Sequence, residues 1–470
     1  MPFKNLSNKK QSGYLLVLVL VFGSVFLVMI SSFIGFVVSQ NQVVNFRHEQ
    51  QRATEIAEAG LNYYRWYLAH FPDDLTTTLN NTYSDQESNL LGEYTLDINR
   101  NSFCGSTASI EVSATAFTYD DPSAISTVRA RYARPTVAEY SFITNDGVWY
   151  GSSGVVVGPL HSNQGVRMDS AHNSTIGSGQ ADWVCDGSYG CTPTQTVDGV
   201  YTTSGLANPG LFSFPVSPIS FAGLTLDLSD MRTRSQNNGG IYYPDTTERG
   251  YLVEFNGDGT VDIYTVRADY NYRSYSVSEL IHWGERNVIT GQTLIATRTI
   301  DPDCPLLFFE DKVWVQGDVN QKVTLAAADL SSGAQTNVVL NGDIEYVPGS
   351  DAGLLVIAED DIDVGVDIPN DMDISGIFIA QNGSFGRNYY STSWFNNTYD
   401  PYVIRNSLDV LGTIVTNGRS ITNWVNGSGN TITGIRTGAS SFDRDQIINP
   451  PPLTPETSDV FIFDSWRQDG

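Results

Sequence analysis

From Tyr14 to Val38 the chain runs for twenty-five residues without a charged side chain (YLLVLVLVFGSVFLVMISSFIGFVV). A helix of that length crosses a hydrocarbon layer of about 30 Å. The pattern then changes rather than stops. Ser39, Gln40, Asn41 and Gln42 end the apolar run, but no proline follows before Pro72, so the helix can continue. Ala53, Ile56, Ala57, Gly60, Leu61 and Tyr64 recur at three- and four-residue steps, while Arg52, Glu55, Glu58 and Arg65 mostly fall elsewhere. This is one apolar stripe on a helix. A continuous helix over 14–71 is roughly 85 Å long, more than anchoring requires.

After Pro72 the polar run from Asp73 to Ser88 reads as a loop with at most a short helix. From Gly92 the period shortens to two. Tyr94, Leu96 and Ile98 alternate with polar residues, Ile110, Val112, Ala114 and Ala116 do the same, and Val128 to Tyr132 follows, giving about three strands that could pack on the emerging helix. Ala133-Arg134-Pro135 marks a boundary, because proline restricts its predecessor and interrupts strand pairing. The expected fold is α+β: a helix over 14–71, a small sheet domain over 72–134 and a large β-rich region over 135–470.

Within that region, glycine-led apolar segments ending in polar turns recur loosely. They are Gly158 to Asn163, Gly353 to Glu359, Gly376 to Asn382 and Gly412 to Asn417, with Val313 to Val319 and Val338 to Ile344 as related pieces. They read as rungs of a parallel β-helix or solenoid, the alternative being an irregular sandwich. The stretch 227–291 has a different texture and reads as an insertion. Tyr251 to Val266 reads as a hairpin turning at Asn256-Gly257-Asp258-Gly259. Prolines 450, 451, 452 and 455 make the start of the terminal segment 449–470 extended and stiff.

Charge changes this picture on the outer part only. The net charge is −26, and residues 71–470 hold 20 basic against 49 acidic side chains. That balance argues against nucleic-acid binding. Lys4, Lys9 and Lys10 are the only charges ahead of the apolar run, which by the positive-inside rule places the N-terminus in the cytoplasm and the bulk outside. Four cysteines on that outer side suit disulfides. The short spacing of Cys185 and Cys191 favours that pair, with Cys104–Cys304 as the second, though sequence alone permits three connectivities.

The segment Lys9-Lys10-Gln11-Ser12-Gly13, the aromatic Tyr14 opening a long apolar helix, and the later run Gln51-Arg52-Ala53-Thr54-Glu55-Ile56-Ala57-Glu58-Ala59-Gly60-Leu61 together resemble the N-terminal module of type IV pilus minor pilins, closest to the PilX-like group. Ala133 to Tyr140, Gly158 to Asn163 and the ending from Phe442 to Arg467 resemble large PilX-like surface proteins. The resemblance implies a basic leader, residues 1–13, cut between Gly13 and Tyr14 by a prepilin peptidase. It also implies a helix that moves from the bacterial inner membrane into a fibre core, with other pilin-like subunits and the inner-membrane assembly machinery as partners. Leu18, fifth after the cut, stands where major pilins carry a glutamate, a departure associated with subunits at fibre tips. Gly23 and Gly35 are expected to let helices approach closely, with Ala57, Gly60 and Leu61 on the assembly helix below.

Candidate chemistry beyond assembly is sparse. Asn256, Asp258, Thr260 and Asp262 suggest a calcium loop, but Val261 and Arg267 occupy positions that need a glycine and a bidentate acid. Asp360, Asp361, Asp363, Asp367, Asp371 and Asp373 form the densest acidic cluster, expected as solvated strand faces with Ca²⁺ as the one candidate cofactor. The cysteines, with His161 and His172, lack zinc-ligand spacing. No G-x-S-x-G serine and no isolated carboxylate pair stands out, so the expectation is a structural or adhesive protein rather than an enzyme. The competing class is a membrane-anchored β-helix protein acting on polysaccharide. Trp149, Tyr150, Tyr242, Tyr243, Tyr270, Tyr272, Tyr275, Trp283, Tyr389, Tyr390 and Trp394 fall in Gly/Asn/Ser-rich stretches, where amphipathic rings suit a surface glycan or protein ligand.

Overall fold

The computed structural model describes residues 12–71, 74, 78–224, 227–331, 335–394 and 398–469. The leader expected at 1–13 therefore lies outside the described residues except for Ser12 and Gly13. Two units divide the chain. One holds Met1–Asn99, Glu111–Tyr132 and Phe463–Gly470, the other Arg100–Ile110 and Ala133–Ile462.

In the first unit one helix, Ser12–His70, is unbroken over 59 residues, about 88 Å at the usual rise. Its lower half behaves as the periodicity predicts. Ala53, Ile56, Ala57, Leu61, Tyr64 and Leu68 are buried, while Glu55, Glu58, Asn62 and Arg65 are exposed. The stripe packs on a five-stranded sheet ordered Thr78–Ser84, Leu90–Phe103, Ser106–Thr118, Ile125–Ala133 and Ile462–Asp469. Gly60 sits so close to it that an added Cβ would lie 2.7 Å from Tyr94 Cδ2, and Tyr132 donates its hydroxyl to the Leu61 carbonyl at 2.7 Å. Two strands escape the sequence reading. Thr78–Ser84, read as loop, pairs antiparallel along 90–97, and the terminal Ile462–Asp469, read with the large domain, completes this sheet. Both are mostly exposed edge strands, whose pairing is set by the neighbour rather than by their own pattern.

The second unit is built from parallel ladders. One runs through Ile241–Tyr243, Leu306–Phe309, Lys322–Ala327, Gly353–Ala358, Asp371–Ala380, Ile404–Thr416, Phe142–Thr144, Leu160–Ser162, Ile176–Ser178 and Phe212–Ser213. Another joins Tyr251–Asn256, Val313–Val319, Val338–Tyr346, Ile362–Val364 and Phe385–Gly386. A third continues from Ile404–Thr416 through Thr431–Ser441 and Gly154–Val157 to Ala171–His172. The recurring glycines have a steric cause. Gly376 and Gly412 stack in register at φ +155° and +136°, and a Cβ on Gly412 would lie 1.9 Å from the Gly376 carbonyl oxygen.

Strands such as Gly353–Ala358 are apolar throughout because both faces are covered, as parallel strands require. Leu354, Val356 and Ala358 point into one core with Leu307, Phe309 and Phe378. Leu355 and Ile357 point into another, which Leu228 and Met231 of the helix Leu228–Asn237 help to close. This corrects the insertion expected at 227–291. That helix covers a ladder, Ile241–Tyr243 and Tyr251–Asn256 are rungs, and only the antiparallel hairpin Thr260–Tyr275/His282–Thr299 departs from the stack. The turn expected at 256–259 is present, with Phe255 opposite Val261. Cys104 is bonded to Cys304 and Cys185 to Cys191.

Candidate functional site

Two surfaces stand out, one in each unit. In the first, the upper half of the helix has no cover. All large apolar side chains from Tyr14 to Val38 are exposed, Tyr14 at 79% and Leu18 at 39%. No atom comes within 4 Å of a Cβ built on Gly23 or Gly35. The helix is long and apolar enough to cross a membrane by length and composition. The six expected assembly residues thus separate into two sets. Leu18, Gly23 and Gly35 lie on open surface, whereas Ala57, Gly60 and Leu61 are buried against the sheet of their own chain. The last three are corrected to internal packing residues, since their side of the helix is already covered. Gly13 and Tyr14 lie in the first turn.

In the second unit, one side of the ladder stack is interrupted. The strands Val200–Tyr201, Val166–Met168 and Val148–Tyr150 form a short sheet of their own. Phe385–Gly386 ends the neighbouring ladder, continued only by a single bridge from Gly386 to Ile421. Beside this gap lies a cavity of about 680 Å³, with Phe142, Phe385, Leu408, Ile414 and Ile435 of the apolar core at its floor.

Its walls are fixed by polar contacts behind them. The Arg167 guanidinium lies 4.5 Å from the centre of the Trp149 ring. Its Nε donates to Asp169 Oδ2 at 2.7 Å, and its Nη1 to the Tyr189 carbonyl at 2.9 Å. Trp149 Nε1 donates to the same Asp169 oxygen at 3.1 Å. Burial alone would raise the Asp169 carboxyl, but the Thr203 amide and the Arg167 charge outweigh it and hold it below the ordinary range. The Cys185–Cys191 loop carries Tyr189 to the same wall, against Trp183 at 4.9 Å. Arg419 stacks over Tyr189 at 4.4 Å and donates to Ser188 Oγ at 3.2 Å. Trp424 is held by a bond from Nε1 to the Arg387 carbonyl at 2.9 Å, with Tyr275 and Tyr389 at its edges.

The aromatic residues singled out in the sequence therefore have different roles. Trp149, Tyr150 and Tyr275 line the cavity, and Tyr389 and Trp394 are linked to its rim through ring contacts with Trp424 and with each other. Tyr272 and Tyr390 are buried, both donating to Glu285 Oε1 at 2.6 and 2.9 Å. Tyr243 stacks on Phe309, Tyr270 on Tyr399, Tyr242 bonds Glu310, and Trp283 is exposed. Sequence reading missed Arg419, Asn423, Trp424 and Ser440.

The acidic cluster is corrected in part. Asp371 and Asp373 are exposed as expected of solvated positions, but Asp361 and Asp363 are buried. Asp361 accepts from the Ser384 amide at 2.7 Å and Ser278 Oγ at 2.9 Å. Asp363 accepts from Asn287 Nδ2 at 3.2 Å, and burial pushes its carboxyl far up, helped by the Asp361 and Glu285 charges. Asp258 caps its own turn, accepting from the Thr260 amide at 2.9 Å. Among the described residues no group of three or more His, Cys, Asp or Glu could hold a metal ion.

No family model and no curated protein matches the chain. Among solved structures, the competence-associated pilin ComZ from Thermus thermophilus is similar at a TM-score of 0.31 and 13% identity, over 90% of this chain and 97% of that one. A likeness of that degree does not establish a shared fold.

Proposed function

We propose that the chain is a minor pilin-like subunit of a type IV pilus or related fibre, PilX-like at its N-terminus, with a large surface head. The observation that carries this reading is the helix with two fates. Its lower half is docked on its own sheet while the uncharged, mainly apolar stretch of twenty-five residues above it is bare, a surface suited first to lipid and then to neighbouring helices. In this reading residues 1–13 are a cytoplasmic leader cut after Gly13, and the head faces outward from the inner membrane until assembly carries it to the cell surface. Leu18, lacking the acid of a shaft subunit, suits a place at the tip. The parallel ladders support reading the head as an irregular β-solenoid. In this reading the head is structural or adhesive, with the aromatic-lined cavity as its candidate binding surface.

Co-expression with a prepilin peptidase, followed by mass spectrometry of the N-terminus, tests the reading. Tyr14 as first residue is the expected outcome, and an intact leader in the presence of active peptidase would overturn it.

A further inference from the structure

The cavity beside the ladder gap has three properties that together specify a ligand. First, its lining is polar as well as apolar. Ser153, Ser420, Thr422 and Asn423 bring hydroxyl and amide groups to it at half-buried or exposed positions. An occupant rich in hydroxyl groups would give such groups partners.

Second, its charge opposes that of the chain. Acids outnumber bases 52 to 26 overall, but the described lining includes Arg419 and Arg436 and no carboxylate. Neither arginine forms a salt bridge among the described residues. Of the acids nearest the wall, Asp146 accepts from the Tyr189 hydroxyl and Asp186 from the Ser188 amide, and the Ser188 hydrogen bonds, with help from the Arg419 charge, hold the Asp186 carboxyl below its ordinary range. A guanidinium pairs best with a planar carboxylate or a phosphate.

Third, the floor is apolar and the walls carry Trp149 and Trp424, surfaces that suit the C–H faces of a pyranose ring. The volume of about 680 Å³ falls in the range of roughly 300–1,000 Å³ usual for small-ligand sites. A fatty acid would use the floor and the arginines but leave the hydroxyl and amide groups of Ser420, Thr422 and Asn423 without a partner from the ligand.

We propose that this cavity binds an acidic saccharide, a sugar chain with a carboxylate-bearing residue at the Arg419 side. This deepens and rests on the surface-binding role proposed above, but it draws on the cavity alone, so leader processing and saccharide binding can fail separately.

The test is titration of the full-length chain in lipid nanodiscs, by tryptophan fluorescence and calorimetry, with two matched pairs: sialyllactose against lactose, and trigalacturonate against maltotriose. The expected result is that one acidic probe binds at least ~10-fold tighter than its neutral partner, and that Arg419→Ala removes about that factor. Thr422→Val, an isosteric change at a half-buried lining position, should weaken binding severalfold while leaving the melting temperature unchanged, because it removes a hydroxyl from the lining. Should Arg419→Ala fail to fold, exposed Arg436→Ala takes its place in the comparison. Absence of binding by both acidic probes to about 10 mM, equal binding of the neutral partners, or affinities unmoved by the arginine and Thr422 substitutions would each overturn the proposal.

Discussion

The run Tyr14–Val38 and the strands Leu306–Phe309 and Gly353–Ala358 are comparably apolar, yet their fates are opposite. Every large side chain of the first is exposed, and every residue of the strands is buried. The difference lies in who supplies the cover. A strand that is apolar on both faces finds it within the chain, from the neighbouring rung on each edge and from a core on each face. A helix apolar all round must find it elsewhere, in lipid or in other copies. Hydrophobicity alone does not separate these cases, but period and length do.

The sharpest way to break the comparison is to truncate one residue of each kind. Trp314, fully buried with Nε1 bonded to the Asn287 carbonyl at 2.6 Å, is expected to cost about 3–5 kcal/mol when changed to alanine, read by denaturant unfolding. Phe22→Ala, at a side chain 66% exposed, should change stability by less than ~0.5 kcal/mol and instead weaken flotation with liposomes. Equal effects on unfolding would mean that the upper helix is covered within its own chain.

A smaller effect separates the two halves of the helix. Gly60→Leu must displace Tyr94 and Leu96, whose atoms lie 2.7 and 3.1 Å from the new Cβ, at about 1–3 kcal/mol. Gly23→Leu meets nothing within the chain and should leave unfolding unchanged, while lowering co-purification with partner helices that need close approach. If Gly60→Leu were silent, Gly60 would return to the assembly surface.

Where neighbours in sequence decide the structure, residues alone were informative. The steps Ala53-Ile56-Ala57-Gly60-Leu61-Tyr64 and the alternation Tyr94-Leu96-Ile98 each name the buried face, and the glycine-led segments at 376 and 412 prove to be adjacent strands. The candidate cavity was legible only in fragments. Trp149, Tyr150 and Tyr275 were visible as aromatic positions, but the gap that gathers them depends on residues 142–157 stacking beside 404–441. Registers between segments so far apart leave no periodic mark. Asp361 and Asp363 were misread for a related reason: a carboxylate on a strand looks solvated until the hairpin lying over it, with Asn287 and Ser278, is in place.

The smallest expected effect concerns that covered acidic patch. Burial first, and the neighbouring Asp361 second, raise the Asp360 carboxyl from 3.8 to about 7. An acid whose pKa is raised on folding favours the folded state fully below its unfolded value near 4, and that contribution is lost as pH rises through about 7. Asp360→Asn should therefore raise the melting temperature by a few degrees at pH 8 and leave it unchanged at pH 4. Melts at pH 4, 6 and 8 decide it. A shift independent of pH would place Asp360 in water, as its sequence neighbourhood suggests, and would confine the internally supplied cover to the apolar rungs. The predicted crossover would extend that cover to charged positions, which Tyr14–Val38, without a carboxylate, never has to accommodate.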